Sequence, residues 1–457
     1  MPPKRSPRQM ALRWQSKTAH LIPGQQVPIS PPSWKHSLSA DFQQNGVAAE
    51  SEPWVTEVTK FAVNGETRVV VLSADGSTLA AGVGEEIHVY DTATSQLLHT
   101  LRGHAGYTVE NLEFHPRGRK LAAGSTRYSP RALEALVRVW DLDAPSQLPD
   151  YLDDAAKEAV IAASSILLQG WSTEDLESVD LQPHIAQILS VAQAAVDVRN
   201  GRAVPGHLPS FGARVFSHDG RSLLYLPDRN NVTVVDAATL TERFQLSGHT
   251  DAIMWAETGP GDKVVATSSW DRTVRIWSME SGEVLRVLEG ATNQSWAGAF
   301  SPDGELIAAG SGDRMVRIWG VDTGELLYTL SGFGDWIRSL AFSPDGLQLA
   351  AGSADGSLRM FDLKSGECSQ SWKIDAKTVR SKGSFLEIVG VQYTPRGDLF
   401  FCSSDGRVWG YRPSQNLKWN FLRPYLENGV WFKTFAISKD GSKLISASRF
   451  QRRHLED

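Results

Sequence analysis

The stretch "SSWDRTVRIWS", residues 268–278, holds two tryptophans set in different chemistry. Trp277 closes a run in which Val274 and Ile276 alternate with Arg275, the period-two pattern of a half-buried β-strand. Trp270 precedes Asp271, a residue type that favours turns. Upstream, "AIMWAET" and "KVVATS" read as two further short strands, and downstream "GEVLRVL" is another. Trp277 therefore sits on the third strand of a four-strand unit (strands a to d), and Trp270 in the turn between b and c.

The unit recurs. A four-residue turn between strands a and b reads SPDG at 301–304 and 343–346, with variants at 73, 115, 217, 259, 394 and 438. Most copies are 42 residues apart, with 60 extra residues after 115 and nine after 343. Pro at the second turn position presets φ and Gly at the fourth accepts positive φ, so each turn can join antiparallel strands. One such sheet cannot bury both faces, whereas copies arranged radially can pack face to face.

The segments "SGHTDAIMW", "SSWDRTVRIWSMESGEVLRVLEG", "SPDGELIAAGSGDRMVRIWGVDTGELLYTLSG" and "SPDGLQLAAGSADGSLRMFDLKSGE", with their Gly-His and Trp-Asp punctuation, resemble the WD-repeat family of β-propellers. The resemblance covers residues 54–457 outside the long insertion. It implies an all-β fold, a closed β-propeller of four-stranded antiparallel blades. The length fits eight blades; seven with an irregular C-terminal piece is the alternative. "WVTEVTKFAV", 54–63, is an alternating strand left over before the first copy, expected to complete the last blade and close the ring.

The resemblance also implies a buried tetrad: His249, Thr267, Asp271 and Trp277 in the fourth copy. A catalytic reading of its Asp, His and hydroxyl is disfavoured, because the spacing is that of the scaffold and no nucleophile elbow accompanies it. Other copies are degenerate. The fifth has Ala291 in the His place, the sixth has Phe333 there and Phe361 for Trp, and the second keeps His104 and Trp140 beside a stretched b–c loop.

By the same resemblance, Trp270 and the residues bracketing the start of each strand a look out over the top face beside the channel. Met254, Trp270, Trp296, Trp336, Arg338, Trp431 and Lys433 make up the expected partner-binding patch, with the small Gly312 and Ala354 leaving the indoles uncovered. Trp and Arg dominate binding hot spots. The competing reading has each indole lying flat on its neighbouring blade as cover for the core.

Residues 145–205 interrupt the β pattern with Ala-rich segments at helical spacing and read as a helical insertion in blade two, at the bottom or outer rim. Residues 1–40 contain Lys4, Arg5, Arg8, Arg13, Lys17 and Lys35 and no acid, so 1–53 reads as a basic disordered tail. "PPKRSPR" is a candidate nuclear-import signal and "RQMALRWQSKT" a candidate transit helix. A cytoplasmic or nuclear location is expected, with mitochondrial as the alternative.

The chain of 457 residues is 41% hydrophobic and 21% charged, a globular composition. Its net charge of -6, with mixed signs, argues against a general nucleic-acid surface. Cys368 and Cys402 cannot form a disulfide framework and are expected as free thiols. No apolar run reaches the about 18 residues that cross a bilayer, so no membrane partner is expected. Without a C-x-x-C pair, Walker loop or dinucleotide fingerprint, no metal or cofactor is expected.

The expected function is a non-enzymatic scaffold, monomeric on its own, that binds a peptide or helix of a protein partner. One alternative is a substrate receptor of a cullin-type ubiquitin ligase, resting on "FDLK" at 361–364, which resembles a Trp-Asp-x-Arg box with both ends substituted. A propeller enzyme is the remote alternative and needs titratable groups converging on the channel.

Overall fold

The computed structural model describes residues 36–37, 67–104, 106–128, 133–143, 197–198, 201, 203–209, 213–374, 386–404, 407–421, 435–438 and 443–446. The described residues are almost wholly β. Their strands form sheets 1 (67–102), 2 (108–205), 3 (222–246), 4 (253–288), 5 (295–330), 6 (337–373), 7 (388–421) and 8 (435–446). Sheets 1, 2, 4, 5 and 7 are antiparallel meanders of four strands in chain order, and sheet 6 is the same meander with one short further strand on its edge. Sheet 3 has three strands, with Phe216 bridged to Leu223 beside them, and sheet 8 has two.

The a–b turn recurs because it satisfies itself. In the fifth copy Ser301 Oγ accepts the Leu306 amide at 2.9 Å, Asp303 Oδ1 accepts the Glu305 amide at 3.1 Å, and Gly304 takes φ 73°. The sixth copy repeats this with Ser343, Asp345 and Gly346. Few residues other than glycine enter that left-handed region cheaply.

The core lies between sheets. Apolar clusters join sheets 1 to 2, 2 to 3, 3 to 4, 4 to 5, 5 to 6, 6 to 7 and 7 to 8 in turn. Trp255 of sheet 4 packs among Ile307, Ala309 and Trp319 of sheet 5, and Phe361 of sheet 6 among Ile318 and Tyr328 of sheet 5. Sheet 8 also meets sheet 1: Ile445 packs on the cluster of Val70 and Leu79, and Lys443 Nζ donates to Gly76 O at 2.9 Å and Thr92 Oγ1 at 2.7 Å.

Segment 54–63 lies outside the described residues. So does most of 145–205, where Asp197–Val198 is helical. His36–Ser37 pairs in parallel with Trp372–Lys373 on the outer edge of sheet 6, a strand that the reading of 1–53 as unstructured did not include. Among the described residues no helix is long and apolar enough to cross a membrane.

Candidate functional site

The fourth sheet builds the full tetrad. His249 Nδ1 lies 2.7 Å from Asp271 Oδ2, His249 Nε2 lies 2.7 Å from Thr267 Oγ1, and Trp277 Nε1 donates to Thr267 Oγ1 at 2.9 Å. With the proton on Nδ1, each group donates to the next and the chain ends on the carboxylate. Burial pushes the Asp271 carboxyl up, but the hydrogen bonds from His249 and Thr273 outweigh it and hold it well below the usual carboxylate range. Arg275 approaches the Gly-His corner so closely that a Cβ on Gly248 would lie 2.6 Å from its Nη1.

The degenerate copies carry other contacts in the place of the tetrad. In sheet 5, where Ala291 replaces His, Arg317 reaches Asp313 with Nη2–Oδ2 at 2.8 Å and Nη1–Oδ1 at 3.2 Å. In sheet 6, Arg359 lies 5.6 Å from the ring of Phe333, and Phe361 fills the Trp place without exposure. In sheet 2, His104 Nδ1 meets Ser125 Oγ at 2.8 Å, and buried Arg138 pairs with Asp197 of the insertion. Burial, then the charge of Arg138, pushes the His104 imidazole down to about 3, so it is neutral. Asp197 is thus tied to sheet 2 by a buried ion pair.

The start of strand a carries a repeated β-bulge, at the positions the sequence assigned to the top face. Pairing of strands a and b skips one residue in sheets 1, 2, 4, 5, 6 and 7, and the skipped residues are Arg68, Glu110, Met254, Trp296, Arg338 and Val389. A bulge residue leaves the ladder and its side chain is re-aimed. Arg68 Nη1 pairs with Glu110 Oε1 at 2.9 Å, and Arg338 Nε with Glu387 Oε2 at 2.9 Å. Met254 is half-buried.

Three indoles form a ladder across this face. Trp270 and Trp296 have ring centroids 5.2 Å apart at 55°, and Trp296 and Trp336 are stacked at 5.0 Å and 20°. The register comes from the backbone: the Trp270 amide donates to Ala252 O at 2.8 Å, and the Ala354 amide to Trp336 O at 2.8 Å. Arg338 lies 5.5 Å from the Trp296 ring and Arg229 5.8 Å from Trp270. The expected uncovered patch needs correction at its centre: Trp296 is only 8% exposed, shut between its neighbours, while Trp336 is 40% exposed. Trp431 and Lys433 lie outside the described residues. Arg229 was missed, although the repeated Asp-Arg of successive b–c turns signals it.

Two carboxyls near the inner strands are held unusually. Burial pushes Glu113 up to about 8, opposed by the Val215 amide and Arg214, and pushes Glu257 up to about 7, opposed by Arg214. Glu113 Oε2 accepts the Val215 amide at 2.7 Å, so its carboxyl anchors the irregular inner segment of sheet 3. In "FDLK", Asp362 Oδ1 accepts the Lys364 and Ser365 amides at 2.9 and 2.8 Å. Asp91 and Asp236 cap the same turn in sheets 1 and 3, so the box is accounted for by turn chemistry. Among the described residues no His, Cys, Asp and Glu group fit to hold a metal occurs, and Cys368 and Cys402 are not joined in a disulfide.

The family described as "WD domain, G-beta repeat" matches residues 95–141, 240–278, 282–320 and 324–362. The chain is similar to the WD repeat-containing protein pop1 of Schizosaccharomyces pombe, 25% identical over 50% of this chain and 28% of that protein. It is similar to the transcriptional corepressor LEUNIG_HOMOLOG of Arabidopsis thaliana, at 23% over 49% of this chain and 26% of the relative. It also matches Arabidopsis autophagy-related protein 16, at 24% over 49% of this chain and 42% of the relative. The matched part thus spans less than half the length of each of these relatives. WD40 repeats indicate a protein-interaction scaffold, a role that is in general non-enzymatic. Repeated Ser-x-Asp-Gly turns, four-stranded meanders and a His-Thr-Asp-Trp network join these matches in one conclusion: the chain belongs to the WD-repeat family.

Proposed function

We propose that the protein is a scaffold whose top face binds a protein partner through the indole ladder, with Trp336 as the contact point. The supporting observation is the exposure of Trp336 on a stack that holds it rigid from behind. A rigid aromatic loses little side-chain entropy on contact, and desolvating it can contribute about 2 kcal/mol or more. Trp296 is then a backing residue, not a contact, and Arg338 positions the stack from its pair with Glu387.

The frame that carries this face is read as a closed ring of eight blades. The a–b turns support it. A Cβ on Gly304 would meet Pro260 of the preceding turn at 3.4 Å, and one on Gly76 of sheet 1 would meet Ser438 of sheet 8 at 2.9 Å. Sheet 8 thus stands to sheet 1 as sheet 4 stands to sheet 5. Cryo-electron microscopy class averages down the ring axis test this: eight lobes are expected, and seven overturn it.

Proximity labelling with wild type and Trp336→Ala tests the binding face. Loss of a discrete set of labelled proteins is expected. An unchanged set overturns the reading and moves the search to the insertion.

A further inference from the structure

We infer that the top face over sheets 3 to 5 takes an acidic protein segment, one with Asp or Glu residues beside an aromatic or aliphatic side chain. This rests on the top-face reading above and names the chemistry of its partner.

Three successive b–c turns carry the same pair: Asp228-Arg229, Asp271-Arg272 and Asp313-Arg314. Their carboxylates are used within the fold. Asp271 faces His249, Asp313 faces Arg317, and Asp228 accepts the amides of Asn230 and Asn231 at 2.8 and 2.9 Å. Two further carboxylates of this face cap the chain: Asp251 accepts the Ala252 amide at 2.7 Å and Asp335 the Trp336 amide at 2.8 Å. Glu387 is taken by Arg338.

The arginines are not used up in the same way. Arg272 and Arg314 are exposed, and among the described residues neither has an ion-pair partner. Arg229 has a 71% exposed side chain and a loose 3.8 Å approach to Asp251. Arg229 lies 5.8 Å from the Trp270 ring and Arg272 follows Trp270 in the same turn, so arginines flank this end of the indole ladder. Guanidinium groups pair carboxylates in bidentate fashion, and the exposed Trp336 offers apolar surface to a neighbouring side chain of the same segment.

The backbone adds an independent mark. Arg272 and Arg314 adopt φ 73° and 69°, where a non-glycine residue is disfavoured. In sheet 6 the matching position is Gly356, at φ 77°. Sheets 4 and 5 therefore present arginine where glycine fits the turn better. Aromatic stacks bordered by arginine also suit single-stranded nucleic acid. Three arginines on a chain of net charge -6 favour the acidic protein segment over a polyphosphate backbone.

The test is selection of random 12-residue peptides displayed on phage against the full chain, with subtraction on Trp336→Ala. A selected peptide is then synthesised and titrated by fluorescence anisotropy against wild type and Arg272→Gly/Arg314→Gly. Glycine suits both positive-φ positions, so the double variant is expected to melt no lower than wild type. The expected result is a set of peptides with at least two acidic residues next to an apolar one. Their affinity should fall about tenfold or more in the double variant and fall with added salt. Neutral or basic peptides that need Trp336 but ignore the arginine changes overturn the acidic class and leave the aromatic face standing. Absence of any peptide that distinguishes Trp336→Ala overturns both. A labelled oligouridine that binds as tightly as the best peptide, and weakens in the same double variant, overturns the inference in favour of nucleic acid.

Discussion

Trp277 and Trp336 are chemically identical and differ in place. Trp277 is 2% exposed on strand c, with its indole N–H on Thr267 and its ring among Val234, Leu246 and Val265. Trp336 stands before strand a of sheet 6, 40% exposed, with one neighbouring indole behind it. The difference teaches that the repeat position, not the residue type, sets whether a tryptophan is enclosed in the core or stands exposed. Trp296 lies between the two cases: at a bulge, yet enclosed.

The comparison breaks most sharply at Trp277. Trp277→Ala removes a buried ring and one hydrogen-bond donor and should cost about 3–5 kcal/mol, read as a lower urea midpoint with partner binding lost only through unfolding. In sheet 5, Asp313→Ala leaves Arg317 buried without its carboxylate, and about 3 kcal/mol of destabilisation is expected. Restoring charge balance with Asp313→Ala/Arg317→Met should recover most of that loss, which a double-mutant cycle measures. Trp336→Ala should change stability by less than about 1 kcal/mol, as expected of an exposed position.

A separate effect, read as a slope in pH, is expected at the buried carboxyl of Glu113. The folded-state pKa of Glu113 is raised to about 8, above the unfolded value of 4.5. Its contribution to stability is therefore full below the unfolded value and is lost as pH rises through the folded one. Glu113→Gln keeps a neutral acceptor for the Val215 amide. Its melting temperature should gain on wild type steadily from about pH 4.5 to pH 8 and level off above that range. A constant difference across that range would mean that the carboxyl titrates normally.

The sequence made the strands and turns legible because both signals are local. Alternation fixes Val274 to Trp277 as a strand, and Ser301-Pro-Asp-Gly304 closes on its own hydrogen bonds. The tetrad was legible through family resemblance and is formed at hydrogen-bond distances in sheet 4. The ladder was only half legible. Trp270, Trp296 and Trp336 were placed on one face, but their stacking depends on bulges and on distances between sheets, which no single strand encodes. That is why Trp296 was expected open and is shut. The replacement of His by Arg317 left a trace in the recurring Arg-x-Trp of strand c, yet its meaning needed the 2.8 Å contact to Asp313.

The central claim is that Trp336 serves binding and not folding. Its most direct test is equilibrium urea denaturation of wild type and Trp336→Ala, run beside the labelling comparison on the same two proteins. The account predicts coincident unfolding curves together with the loss of a discrete partner set. A collapsed midpoint would make Trp336 part of the core, and coincident curves with an unchanged partner set would remove the top face as the working surface.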